Sequence, residues 1–160
     1  MEYPETKLFP LGKVFGLLTK QYIGLLSSKL ESIPLNRYYY PFWIIAQQSG
    51  NISQTELATE LQIDKVAVVR IVDYLEKQNF VRRIPNPKDR RSHCLTITES
   101  AQSYIPKIQQ AFRETDEIFV ETLEDRDYFT NELLRLLKTT RSGAGEKIAI
   151  FYQNFNVQTQ

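Results

Sequence analysis

Apolar side chains recur at helical spacing from Leu8 through Leu11, Val14/Phe15, Leu18, Tyr22 and Leu25/Leu26 to Leu30, which predicts one helix of about six turns. Gly12, Gly16 and Gly24 lie inside it at spacings of four and eight and therefore share a face. Each weakens the helix by roughly 1 kcal/mol relative to alanine. Close approach of a second helix and local flexibility both account for such a face. Ser32-Ile33-Pro34 ends the run, and Asn36 suits the cap of a second helix, Arg37 to Gln48, that is dense in aromatic residues. Pro41 either kinks that helix or delays its regular part until about residue 40.

Ser53-Gln54-Thr55-Glu56 has the form of a capping box and opens a short helix through Leu57, Ala58 and Leu61. Asp64 caps a further helix, Lys65 to Gln78, whose apolar positions Val68, Ile71, Val72 and Leu75 fall on one face. Two short helices joined by about three residues make a helix-turn-helix pattern. Asn79 then stands where a left-handed residue is wanted, a conformation asparagine tolerates.

The periodicity changes after Phe80. Val81 and Ile84 lie on one side of a polar stretch, and Leu95-Thr96-Ile97-Thr98 alternates on the other, which predicts a β-hairpin. Pro85-Asn86-Pro87 marks its tip, because proline lacks the ladder donor. A long helix follows from Thr98-Glu99 to about residue 123, with a bend at Pro106, and a last helix covers 125–140 after the polar break Glu124-Asp125-Arg126-Asp127. Residues 141–160 carry Ile148, Ile150, Phe151, Tyr152 and Phe155 and form an apolar extension. A lone hairpin is marginal in water, so the helices must hold it.

At 160 residues, 42% apolar and 24% charged, the chain has the size and composition of one soluble domain. No stretch is apolar for long enough to span a membrane. Met1-Glu2-Tyr3-Pro4-Glu5 lacks the layout of a signal peptide, and a cytoplasmic protein is expected. Charge alters the picture more. Between Asn79 and Cys94, five basic residues (Arg82, Arg83, Lys88, Arg90, Arg91) face one acidic residue, Asp89; this balance of +4 leaves −3 for the rest of a chain with net charge +1. Such polarity suits a polyanion approached from one side. A solvated loop rich in arginine would read the same way.

Taken together, the order of elements resembles that of the MarR-type winged-helix transcriptional regulators. Ile52-Ser53-Gln54-Thr55-Glu56-Leu57-Ala58 is similar to that family's lead into its first short helix, and Asp64-Lys65 with Arg70-Ile71-Val72-Asp73-Tyr74-Leu75-Glu76-Lys77 to its recognition helix. Asn86-Pro87-Lys88-Asp89-Arg90-Arg91 and Leu95-Thr96-Ile97-Thr98-Glu99 resemble its wing, and the likeness covers roughly residues 8–140. It implies a mainly α fold: a winged helix-turn-helix with a small β-hairpin wing, flanked by long N- and C-terminal dimerisation helices. The whole of 1–160 is then one domain, with a DNA-binding lobe at 36–98, dimerisation helices at 8–30 and 99–140, and the extension at 141–160.

The implied function is a sequence-specific regulator, with repression the expected role, that binds a palindromic operator in double-stranded DNA as a homodimer. Half-sites about one helical turn apart would match its symmetry. The recognition helix belongs in the major groove and the wing in the minor groove, where Arg91 matches the family's inserted arginine and Asp89 the carboxylate that orients it. Candidate DNA contacts are Ser53, Gln54 and Thr55 at a helix N-terminus, Lys65, Val66, Ala67, Val69 and Arg70 on the recognition helix, and Arg82, Lys88, Asp89, Arg90 and Arg91 on the wing. Arg82 and Arg83 taken alone read equally as solvated charges.

The chain departs from the family at several places. Val66, Ala67 and Val69 stand where serine or threonine is usual; they can touch thymine methyls but cannot make bidentate base contacts, which points toward A·T-rich targets. The same substitutions fit a winged-helix module that binds protein instead of DNA. Gln62, Asn79 and Ala101 replace usual glycines. Relatives that bind small aromatic effectors suggest a pocket of Phe15, Tyr22, Tyr38, Tyr39, Phe42 and Trp43, although aromatic stripes on helices are more often core. His93 and Cys94 are the only residues of their kinds and, as strand neighbours, point to opposite faces. The relatives that sense peroxide do so with a cysteine near the first helix. No catalytic set, metal-spaced cluster or cofactor loop is present in the sequence, and an enzyme is not expected.

Overall fold

The computed structural model describes residues 10–87 and 89–141, except the side chains of Arg90, Thr140 and Arg141. Expectations for Leu8, for Lys88 and for all but the first residue of the 141–160 extension lie outside the described residues. Helix α1 (Leu11–Lys29) leads to α2 (Tyr39–Gln47), a two-residue strand β1 (Ile52–Ser53), and the pair α3 (Gln54–Leu61) and α4 (Lys65–Lys77). Strands β2 (Val81–Asn86) and β3 (Asp89–Ile97) follow, then α5 (Glu99–Gln102), α6 (Ile105–Val120) and α7 (Arg126–Arg141). Among the described residues no helix is long and apolar enough to cross a membrane.

The caps behave as their side chains dictate. Ser53 Oγ accepts the Glu56 amide while the Glu56 carboxylate takes the Ser53 amide, completing the capping box. Asp64 Oδ1 accepts the Ala67 amide at 2.8 Å. Both helices of the pair end on a left-handed residue, Gln62 (φ 55°) and Asn79 (φ 60°). At the second, Asn79 N–H donates to the Glu76 carbonyl and Phe80 N–H to the Leu75 carbonyl, the double closure of a Schellman turn. Buried Leu75 and Phe80 supply the apolar contact that accompanies such a turn.

Several expectations need correction. Asn36 does not cap α2: it and Arg37 are both left-handed (φ 44° and 68°), reversing the chain between buried Leu35 and Tyr39, and α2 starts after Tyr38. Pro41 delays the helix and does not kink it, since it lies in the first turn, where no amide is needed. The helix expected from Thr98 to 123 is two helices. Pro106 lacks an amide and its ring crowds the carbonyl four residues back, that of Gln102, so α5 stops there and α6 begins with Pro106 in its first turn.

In the hairpin, Pro85 is not part of the tip but pairs with His93 inside β2. It is tolerated because the sheet order β1-β3-β2 makes β2 an edge, and the ladder slips between Pro85 and Asn86. Strand β1, which pairs Ile52 with Leu95, carries no periodic signal because it is only two residues long.

The core gathers Leu26 and Leu30 of α1, Phe42 and Ile45 of α2, Leu57 of α3, Val68, Val72 and Leu75 of α4, Leu95 of β3 and Ile108 of α6. Phe42 meets Phe80 edge-on at 5.5 Å, and Phe80 in turn meets Tyr104 at 5.4 Å, which joins α2, the base of the wing and the start of α6. Lys29 and Glu114, 2.7 Å apart, tie α1 to α6. Gln62 pays a side-chain penalty in its left-handed position that glycine avoids. Gln62→Gly is expected to raise stability by about 0.5–1 kcal/mol in urea unfolding, the relief outweighing the added freedom of the unfolded chain.

Candidate nucleic-acid interface

Helix α4 buries Val68, Ile71, Val72 and Leu75 and so turns Lys65, Val66, Val69 and Arg70 outward. Val66 is 61% exposed and Val69 42%, a large apolar area for an outward helix face, whereas Ala67 is half-buried. The outward face is therefore apolar in the middle with a basic side chain at each side. At the start of α3, Ser53 is occupied by its own capping box and Thr55 is exposed. Gln54 Nε2 is buried and has no hydrogen-bond partner among the described residues.

On the wing, Arg82 and Arg91 are exposed. Asp89 Oδ1 accepts the Arg91 backbone N–H at 3.0 Å, so its bond goes to the main chain and not, as the resemblance implied, to the guanidinium. Asn86 Nδ2 donates to Ser92 Oγ at 3.0 Å and that hydroxyl donates to the Asp89 carbonyl at 3.2 Å, which braces the end of the hairpin. Arg83 is no solvated charge. Its guanidinium bridges Asp73 and Glu76 of α4, with 2.6 Å to Asp73 Oδ1. The sequence signal for this was two carboxylates three residues apart on one helix face, followed by an arginine on the next strand.

The six aromatic residues expected to share a pocket do not. Phe42 and Tyr39 are buried in the core, Tyr38 stacks edge-on against Tyr74 at 5.2 Å, and Phe15 is exposed on α1. Tyr22 and Trp43 do meet, in an open depression of about 330 Å³ shared with Tyr40, Gln109, Phe112, Arg113 and Asp116. Tyr22 Oη donates to Asp116 Oδ1 at 2.6 Å. A second, more apolar depression of about 540 Å³ lies between α1 and α6, lined by Leu18, Gln21, Gly24, Leu25, Ile118 and Phe119. Cys94 is 4% exposed and faces inward, while neighbouring His93 faces out.

Residues 43–93, which run from α2 to β3, match the model of the MarR family. A Thauera aromatica protein named as the regulator of the hcr operon is 34% identical over 95 residues, spanning 59% of this chain and 55% of that protein. The HTH-type transcriptional regulator BilQ of Clostridioides difficile is 23% identical over 88% of this chain and 94% of its own length. A MarR transcriptional regulator from Methanosarcina mazei superposes with a TM-score of 0.73 at 25% identity, over 82% of this chain and 96% of that one. From α2 to β3 the chain is similar to MarR-family regulators. A MarR-family structure from Listeria monocytogenes, crystallised with a 26mer DNA, shares the fold at TM-score 0.74 and 17% identity, covering 92% and 96% of the two chains. In MarR terms α3 and α4 are the helix-turn-helix and β2–β3 the wing. Two of the family's usual glycines are here left-handed Gln62 and Asn79, while the third, Ala101, sits buried in α5, where no special backbone is needed.

Burial, followed by the hydrogen bonds to Asp116 and Tyr40, pushes the Tyr22 phenol far above the ordinary tyrosine value of 10.0. The folded state thus favours the protonated phenol, so this contribution to stability is complete below pH 10 and is lost progressively as pH rises above it. Tyr22→Phe removes that loss, and a plot of urea midpoint against pH should fall less steeply for the variant than for the parent on the alkaline side.

Proposed function

We propose that this chain is a MarR-family protein, a cytoplasmic, sequence-specific regulator of transcription that represses by binding a palindromic operator in double-stranded DNA as a homodimer. The observation that carries this reading is the pairing of an outward α4 face (Lys65, Val66, Val69, Arg70) with a braced basic wing that presents Arg82 and Arg91. An α-helix of this kind fits the major groove, and an arginine on a wing suits the concentrated negative potential of a narrow minor groove. Thr55 and the amides at the start of α3 suit a phosphate. Val66 and Val69 are suited to thymine methyls, which makes A·T-containing half-sites the expected targets.

Dimerisation is supported by apolar residues that stay exposed among the described residues. Leu11, Phe15, Leu17 and Leu18 on α1, Ile118 on α6, and Tyr128, Phe129, Leu133, Leu134, Leu136 and Leu137 on α7 are all exposed. Among the described residues a Cβ added to Gly12, Gly16 or Gly24 would meet nothing within 4 Å, so packing between the described elements does not explain that glycine face. A second copy would. An aromatic effector would sit in the Tyr22–Trp43 depression and hold the two lobes at a spacing unable to match successive grooves. The second reading, a module that docks protein, is favoured by the same exposed Val66 and Val69.

A gel-shift salt titration separates the two. DNA binding should weaken by about 0.9 log units per phosphate neutralised for each log unit of salt, and Arg91→Ala should weaken it and flatten the slope by about one contact. Binding that ignores salt, or an Arg91→Ala variant indistinguishable from its parent, would sink the minor-groove assignment. Sedimentation equilibrium should return about twice the 18.7 kDa of one chain; a monomer at micromolar concentration would overturn the homodimer. If no aromatic acid in a screen shifts either melting temperature or operator affinity, the effector is wrong.

A further inference from the structure

Among the arginines of the wing, Arg83 is committed to the protein itself. It lies two residues from buried Val81 on the same face of β2 and is half-buried, whereas Arg82 between them is exposed. Its guanidinium reaches both Asp73 and Glu76, which are one turn apart on α4. Its backbone N–H donates to Glu76 Oε1 at 3.2 Å. Since β2 is the edge of the sheet, that amide points away from β3 and would otherwise meet only water. Glu76 therefore holds the strand by its main chain and its side chain at once, and Asp73 fixes the guanidinium plane from a second position.

Nearer the tip, the bonds of Asn86, Ser92, Asp89 and Arg91 are made within the hairpin. The hairpin is thus braced where Asn86, Asp89 and Ser92 meet and clamped to α4 at Arg83. A small rotation at the clamp displaces the braced end that carries Arg91. We infer that Arg83 is a positioning residue: through Asp73 and Glu76 it sets the angle of the wing against the recognition helix, and so where Arg91 falls when α4 is seated in its groove. This rests on the DNA-binding reading proposed above. A guanidinium suits the task because its planar fork engages two carboxylates in a defined geometry, which a lysine ammonium cannot do.

The test is a double-mutant cycle on the full chain, using an operator duplex recovered by selection from genomic fragments and working below the melting temperature of the least stable variant. With Arg91 present, Arg83→Gln should weaken binding about tenfold; in the Arg91→Ala background the same change should weaken it less than about twofold. Arg83→Lys, which keeps the charge, should still lose affinity, and hydroxyl-radical footprints of both variants should lose protection where the wing lies while keeping it over the half-site centre. Equal losses in the two Arg91 backgrounds overturn the inference, and so does an Arg83→Lys variant that binds like the parent, since charge neutralisation would then suffice. If Arg83→Gln does not fold, Glu76→Gln breaks the clamp from the helix side and completes the same cycle. A parent chain that binds no duplex overturns the DNA reading itself, and is distinguishable from a parent that binds while its Arg83 and Arg91 act independently.

Discussion

Helix α4 and the wing are joined by a single left-handed residue. Asn79 turns the chain out of the helix, and the two main-chain bonds that close the turn leave Phe80 aimed into the core against Phe42. From there β2 runs back along α4, and Thr98 closes the other end of the hairpin by donating its hydroxyl to the Asn79 carbonyl at 2.6 Å. The interface depends on this joint, because an outward helix face and a basic hairpin recognise one ligand only if their relative placement is fixed. Aromatic packing beneath the joint and the Arg83 clamp beside it hold that placement from two sides.

Electrostatics and packing divide the work. The wing is basic because its arginines have few acidic neighbours, and one of them is spent in fastening the hairpin. The α4 face is apolar in its centre, which limits what it can read in a groove to shape and methyl groups. Specificity in such an interface would come as much from where the wing lands as from the helix. The exposed apolar residues on α1 and α7 lie outside the α4–wing face and support the proposed homodimer.

Much of this was legible in the residues because it is local. The capping box at Ser53, the Asp64 cap, the inward and outward faces of α4, the left-handed Asn79 and the opposed His93 and Cys94 each follow from a few neighbouring side chains. The readings that needed revision were those in which local chemistry admits two outcomes. Asparagine at 36 serves as well in a left-handed turn as at a cap, and the turn won because Leu35 and Tyr39 both had to be buried. Proline at 85 is forbidden only in an interior strand, and whether a strand is interior depends on the sheet order. The six aromatic residues that the likeness to effector-binding relatives suggests as one pocket separate because Phe42 and Tyr39 turn into the core while Phe15 stays exposed on α1.

The basic hairpin, the helix pair before it and the apolar terminal helices were determined by sequence alone, since periodicity, caps and charge are properties of neighbouring residues. Tertiary structure alone decided that Arg83 fastens the wing and does not face solvent, that only Tyr22 and Trp43 of the six aromatic residues share a depression, and that two residues at Ile52–Ser53 become a strand. Each of those depends on partners in another element: Asp73 and Glu76 on α4, ten and seven residues before Arg83, Phe112 and Asp116 on α6, Leu95 and Cys94 on β3. No local pattern encodes a contact whose other half lies forty or more residues away, as Ile52 and Leu95 do, until the fold has brought the two together.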